Sequence, residues 1–341
     1  MKKRFIVFLL FLILGIGLFI NAIVQTGLDQ IWSTLRNFSF AFFLAYLVLS
    51  TLNFGLYTLR WHIILRRLLK REKLPHLHRA ITFLDLFFHR MAGFAISYIT
   101  PMAQTGGEPL RILLLHRDGV RMSLSTASVI IDKALEFTTL MIFIFIGIAL
   151  GLLDGSLPPG SRVFFGLVLI VFFMLIFWFY YASLKNIGFF SSLLRLFHLH
   201  KLTRIERFIR KIIKVEMQIS AFYKQNGATF LVLVFISIFI IGFQLFEHYI
   251  LALFFGVKMT FFQTFLVSTI PYLALIIPIP GGLGVLESGH AVMFALLGIQ
   301  INAFVLVFII RIRDFAFVLV GLIHASKEGL RMLHEAFEGK R

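Results

Sequence analysis

Fifteen ionisable side chains stand inside otherwise apolar stretches: Asp85, His89, Arg90, Glu108, Arg111, Asp132, Lys133, Glu136, Glu247, His248, Glu287, His290, Arg311, Arg313 and Asp314. A charged group at mid-membrane costs about 2.5 to 3.5 kcal/mol on insertion scales, so such groups turn inward, pair, or line water. Spacing already supplies some partners. Glu108 and Arg111 stand three apart, and Asp132 and Glu136 four apart, so each pair shares one helix face. Arg311 can neutralise a carboxylate or grip a phosphate with two parallel N–H groups. A bland reading competes with this one, in which the charges are static ion pairs that fix helix packing.

Two backbone breaks accompany these charges. The first runs Thr100-Pro101-Met102-Ala103-Gln104-Thr105-Gly106-Gly107-Glu108-Pro109-Leu110-Arg111, and the second Pro278-Ile279-Pro280-Gly281-Gly282-Leu283-Gly284-Val285-Leu286-Glu287. Each joins Pro, a Gly-Gly pair and a following Glu. Unwound backbone survives at membrane depth only where it is buried in protein or lines a cavity, and breaks in corresponding parts of two halves point to a transport site. An inverted repeat is one origin for the match; convergence on the same backbone need is the other. Pro109 suits the first turn of a helix, so a half-helix beginning near Glu108 would aim free N–H groups inward, as would another beginning near Gly284. Such ends suit a phosphate or carboxylate.

Other chemistries lack their parts. With no Cys in 341 residues there is no disulfide, zinc ribbon, iron–sulfur cluster or thiol nucleophile. His116-Arg117-Asp118 matches a kinase triplet without a Gly-rich loop or a following Asn. Gly282-Leu283-Gly284 lacks the strand of a dinucleotide site, and no Walker A sequence occurs. His198 and His200 are too isolated to hold a metal. Neither cofactor nor metal is expected, and no covalent chemistry.

The elements that position these residues are membrane spans. Hydrophobic residues make up 59% of the chain, charged residues 14%, and Phe alone 43 positions, more apolar surface than a soluble core of this size buries. A span needs roughly 20 apolar residues. Six stretches qualify: 5–24, 38–59, 123–150, 163–184, 228–255 and 303–323. The first follows Met1-Lys2-Lys3-Arg4 and reads as an uncleaved span, since it is long for a signal peptide and lacks a cleavage site. Loops beside alternate span ends hold 25 Lys and Arg against three, Arg36, Arg162 and Lys258, which places both termini in the cytoplasm.

That parity decides the interrupted stretches too. Residues 80–116 must enter and leave from the cytoplasm, and 261–298 from the outer side. The expected fold is therefore all-α and polytopic, one integral membrane domain over 1–341. It has six full transmembrane helices plus two oppositely entering, broken re-entrant helical hairpins. Residues 185–225 form a basic amphipathic segment, with Ile205, Phe208, Ile209, Ile212 and Ile219 on one face and Arg204, Arg207, Arg210, Lys211 and Lys214 on the other. It suits the anionic inner leaflet, or it is a basic loop serving topology alone. The net charge of +17 thus points to anionic phospholipid rather than to nucleic acid.

Gly106-Gly107-Glu108-Pro109-Leu110-Arg111, Asp132-Lys133-x-x-Glu136, Pro280-Gly281-Gly282-Leu283-Gly284-x-x-Glu287 and the Arg311-bearing last span resemble the lysylphosphatidylglycerol synthase transmembrane region, a flippase-like family. The likeness covers nearly the whole chain. It implies transbilayer movement of a phospholipid or related lipid in the cell inner membrane. Chain length makes this resemble the stand-alone members, without the cytosolic synthase domain. The matched positions are Gly106, Gly107, Glu108, Arg111, Pro280, Gly281, Gly282, Gly284 and Glu287; Asp132, Glu136 and Arg311 join them as expected transport-site residues. An intramembrane lipid-modifying enzyme, or a non-catalytic subunit of a lipid-synthesis complex, is the alternative. A second copy and a lipid-synthesis enzyme are the protein partners left open.

Overall fold

The computed structural model describes residues 39–100, 105–153, 161–196, 206–300 and 302–338, together with Ile20, Val24 and Arg36. All but Ile20 and Val24 of the expected first span lie outside the described residues. So do residues 101–104 of the first break, and His198, His200, Arg204 and Ile205.

Among the described residues the chain is helical, with no strand. In order come α1 (Phe40–Arg71), α2 (Pro75–Ala80), α3 (Phe83–Ile99), α4 (Glu108–Arg117), α5 (Met122–Leu153), α6 (Ser161–Lys185), α7 (Phe189–Leu196), α8 (Glu206–Gln225) and α9 (Gly227–Phe254). Next are α10 (Phe261–Thr269), 3-10 turns over Ile270–Ile276 and Pro280–Gly282, α11 (Val285–Leu296) and α12 (Ala303–Glu338). Expected spans at 38–59, 123–150, 163–184, 228–255 and 303–323 fall on α1, α5, α6, α9 and α12. Three of these, α1, α5 and α9, are long and apolar enough to cross a membrane. The apolar part of α12 is interrupted by Arg311, Arg313 and Asp314.

Local chemistry sets where the helices begin. Ser39 caps α1 by accepting from the Phe42 N–H at 3.3 Å, and Lys70 and Arg71 in its last turn complement the carbonyl end. Asp85, one of the charges in apolar sequence, is spent on a capping box: its carboxylate accepts from the Thr82 N–H at 2.8 Å, and the Thr82 hydroxyl accepts from the Asp85 N–H at 3.2 Å. Thr260 and Gln263 repeat the device at α10. Pro109 opens α4, where its missing N–H costs nothing.

Small residues let the helices of the first break meet. A Cβ added at Gly107 would fall inside the backbone of Gly93 on α3, and one at Gly321 on α12 would collide with the Met91 carbonyl. Close backbone approach through small residues is how helices associate where lipid supplies no hydrophobic drive. Thus α3 packs between α4 and α12, while α5 packs against α1, α4, α9 and α10.

Two long helices outrun their expected ends. α1 continues to Arg71, burying Trp61, Ile64, Leu65 and Leu68, and α12 continues to Glu338. Arg60, counted above with the inner loop, is only 1% exposed and belongs to the interior. The basic amphipathic segment differs as well. Arg210, Lys211 and Lys214 are exposed as expected, but Val215, Ile219, Phe222 and Tyr223 of α8 are buried in the core beside α5 and α6. Of the expected apolar face, Ile219 is buried there, while Ile209 and Ile212 are half-buried. Glu72 helps tie this end together, contacting Arg71 at 3.0 Å and Arg121 at 3.3 Å. The hydrogen bond from Arg71 holds its carboxyl below the usual carboxylate range.

Candidate functional site

A cavity of about 430 Å3 lies between the two breaks, and α1, α3, α4, α5, α9, α11 and α12 all contribute to its wall. Two groups of charged side chains border it.

The first group surrounds Asp132, which is fully buried. Its Oδ1 accepts from Arg60 Nε at 2.9 Å, and its Oδ2 accepts from Arg90 Nη1 at 2.7 Å and Arg111 Nη2 at 2.8 Å. Glu136, one turn on, accepts from Arg90 Nη2 at 3.1 Å and from Lys133 at 2.6 Å. Arg90 thus bridges the two carboxylates that helical spacing puts on one face of α5. Glu108 lies 3.3 Å from Lys133 and 3.8 Å from Arg111. Aromatic faces complete the shell, with the Arg111 guanidinium 4.0 Å from the Trp61 ring centroid and that of Arg90 4.8 Å from Tyr57. Four cations face three carboxylates. Two buried N–H groups, Arg60 Nη2 and Arg111 Nε, have no hydrogen-bond partner.

The second group centres on α12. Arg311 grips Glu287 with Nε at 2.9 Å and Nη2 at 3.2 Å, and donates to the Tyr98 hydroxyl at 3.0 Å. It also donates to both carbonyls of the Gly-Gly pair, Gly281 and Gly282. Those carbonyls turn inward because Gly281, Gly282 and Gly284 all have positive φ (59°, 61° and 75°), a conformation open to Gly at no steric cost. Arg313 donates to Asp314 and, at 2.8 Å, to Glu247 Oε2. Here two cations face three carboxylates.

Glu108, Arg111, Glu136, Gly281 and Arg311 line the cavity; Asp132 and Glu287 stand behind it, bonded to lining arginines. Gly107 begins α4 and donates its N–H to Ser97 at 2.8 Å, while Gly106 lies in the turn before it. Pro280 and Gly282 are buried in the second break, and Gly284 precedes α11. The half-helix expected near Gly284 begins at Val285, and the carbonyls just before it are the acceptors turned to Arg311.

Arg60, Arg90 and Lys133 in the first group, and Glu247, Arg313, Tyr98 and Asn53 in the second, were not chosen from sequence as site residues. Arg60 had a readable signal: Trp61 and Ile63-Ile64-Leu65 continue the apolar run beyond it. Which carboxylate each arginine meets lies 21 to 72 positions away and had no local signal.

Comparison with known proteins agrees with this helical interior. A UPF0104 membrane protein of Pyrococcus horikoshii is 21% identical over 307 residues, 85% of this chain and 88% of the relative. A UPF0104 membrane protein of Methanothermobacter thermautotrophicus is 30% identical over 147 residues, 41% of this chain and 40% of that one. No solved structure matches the chain. The pattern of the lysylphosphatidylglycerol synthase transmembrane region matches residues 5–321, which take in both breaks and both charge groups. The chain belongs to that membrane-protein family.

Proposed function

We propose that the protein moves an amphipathic lipid between the leaflets of the inner membrane, passing the polar head through the cavity while the acyl chains stay in the bilayer. The reading carries with it six full spans, two hairpins entering from opposite sides and both termini in the cytoplasm. The observation that carries it is a cavity whose first charge group has one cation in excess, with Arg111 Nε buried without a hydrogen-bond partner and Arg60 Nη2 reaching only Glu136 at 3.6 Å. An unsatisfied buried donor costs about 1 to 3 kcal/mol, and a phosphate oxygen would supply the acceptor. About 430 Å3 suits a head group but not two acyl chains. Moving a charged head through bare hydrocarbon is prohibitive; through a pre-built set of opposite charges, far less so. The remaining cargo specification is a phospholipid or related lipid with an anionic group near the glycerol. The protein performs no covalent step in this scheme.

Reconstitution into vesicles with head-labelled phospholipids tests it. Wild-type protein should speed transbilayer movement of an anionic phospholipid at least tenfold over empty vesicles, and Arg111→Gln should remove most of that gain. No movement above empty vesicles for any anionic, aminoacylated or polyprenyl lipid would end the reading. A new lipid species found by mass spectrometry after incubation would favour the enzymatic alternative.

A further inference from the structure

Of the three carboxylates in the second charge group, two each take two N–H groups from an arginine. Glu287 has both oxygens on Arg311, and Asp314 takes two N–H groups of Arg313. Glu247 is the surplus one. Its Oε2 accepts from Arg313, but its Oε1 is buried without a partner, and the side chain is only 3% exposed. Beside it stand Ser50 and Asn53 of α1, both on the cavity wall and both within reach of the carboxyl, and Asn53 Oδ1 is buried without a partner. With the Asn53 amide turned so that its oxygen faces Glu247, one hydrogen would serve both lone oxygens.

We propose that Glu247 is a proton-carrying site, a neutral carboxylic acid whose Oε1–H donates to Asn53 Oδ1. One proton satisfies both orphan oxygens and cancels the surplus charge, since three carboxylates against two guanidinium groups become two against two. The alternative, an uncompensated buried charge, is strongly destabilising.

The surroundings also provide a proton acceptor. Tyr272, on the 3-10 turn of the second hairpin, shares the cavity wall with Glu247, and its hydroxyl lies 3.4 Å from His248 Nε2. The other ring nitrogen of His248 lies 2.9 Å from the Gln244 carbonyl and is therefore the N–H donor, which leaves Nε2 as acceptor for the phenol. The His248 ring stacks on that of His290, centroids 6.0 Å apart, and His290 Nε2 is buried without a partner. The groups facing Glu247 are Arg313 and Asp314 on α12, Tyr46 on α1, Tyr272, and His248 on α9, with His290 behind them. A proton that reaches Tyr272 has the lone pair of His248 Nε2 as its next acceptor.

Infrared spectroscopy on the purified protein in lipid bilayers reads the protonated carboxyl directly and needs no lipid movement, so its outcome is separable from that of the transport assay. At pH 7 the wild type should show a carboxylic-acid C=O stretch that shifts in D2O. Glu247→Gln should abolish it, and Glu108→Gln and Glu287→Gln should leave it. Asn53→Leu should move the band to higher frequency by removing the acceptor, which keeps the idea testable if Glu247→Gln fails to fold. Absence of the band in wild type overturns the assignment. It would mean that Glu247 is ionised, with the Asn53 amide offering its NH2 or an ammonium group completing the site. A band that survives Glu247→Gln, or one unmoved by Asn53→Leu, overturns it equally.

Discussion

Asp132 accepts from three guanidinium groups, so its loss strands three like charges together. Asp132→Asn keeps the shape and removes the charge. Breaking a buried pair on one side typically costs about 3 to 5 kcal/mol, because the partner is left uncompensated. We therefore expect this variant to unfold at a clearly lower temperature than wild type in detergent, with little folded protein recovered. Glu108→Gln should be mild by comparison, since Glu108 has only the longer contacts to Lys133 and Arg111. A parallel thermal series measures both; equal stability of Asp132→Asn and wild type would show that Asp132 is not the keystone described here. The residue types at this site were legible in sequence as charges in apolar stretches, and the i, i+4 spacing correctly put Asp132 and Glu136 on one face. Their cationic partners were not, because Arg60 and Arg90 arrive from other helices.

At the scale of elements, the first charge group exists because α4 lies flush against α3. Gly93 and Gly107 make that approach, with backbone against backbone and no room for a side chain. Gly107→Val should force the two helices apart, pull Arg111 from Asp132 and lower the melting temperature by several degrees. Gly242, where an added Cβ would meet open space, is the internal control, and Gly242→Ala should be nearly silent. Thermal melts of both variants, with transport assayed on whatever remains folded, check this. Equal effects would mean that close approach at Gly107 is not what holds the site. Capping explains what sequence could foresee here: Pro109 marked the start of α4, because a cap is a local interaction within one turn, whereas Asp85 was read as a charge in apolar sequence and the structure makes it the cap of α3. The Gly93 contact joins residues 14 apart in sequence across a break, and only packing reveals it.

Across the whole molecule, both charge groups border one cavity, four cations with three carboxylates in the first and two cations with three carboxyl groups in the second. The proposed transport through that cavity depends on membrane topology. The native chain has no Cys, so single cysteines report topology without background. Exposed Arg79, Lys211 and Lys327, each replaced by Cys, should react with a membrane-impermeant maleimide only from the cytoplasmic side of inverted vesicles. Exposed Lys258→Cys should react only from the opposite side. Labelling of position 258 from the same side as the other three would overturn the opposed entry of the hairpins.

What the order of residues determined by itself was what local physics can decide: a helical chain built for lipid, the helix starts, the two Gly-rich breaks and the presence of charges that hydrocarbon would reject. Each follows from hydropathy, capping or backbone freedom over a few neighbours. Tertiary structure decided the rest. It turned Arg60 from a loop charge into the buried partner of Asp132, aimed the Gly281 and Gly282 carbonyls at Arg311, spent part of the amphipathic face of α8 on the core, and left Glu247 one donor short. Those outcomes depend on which helices touch, and pairing across tens to hundreds of residues leaves no trace in a local pattern.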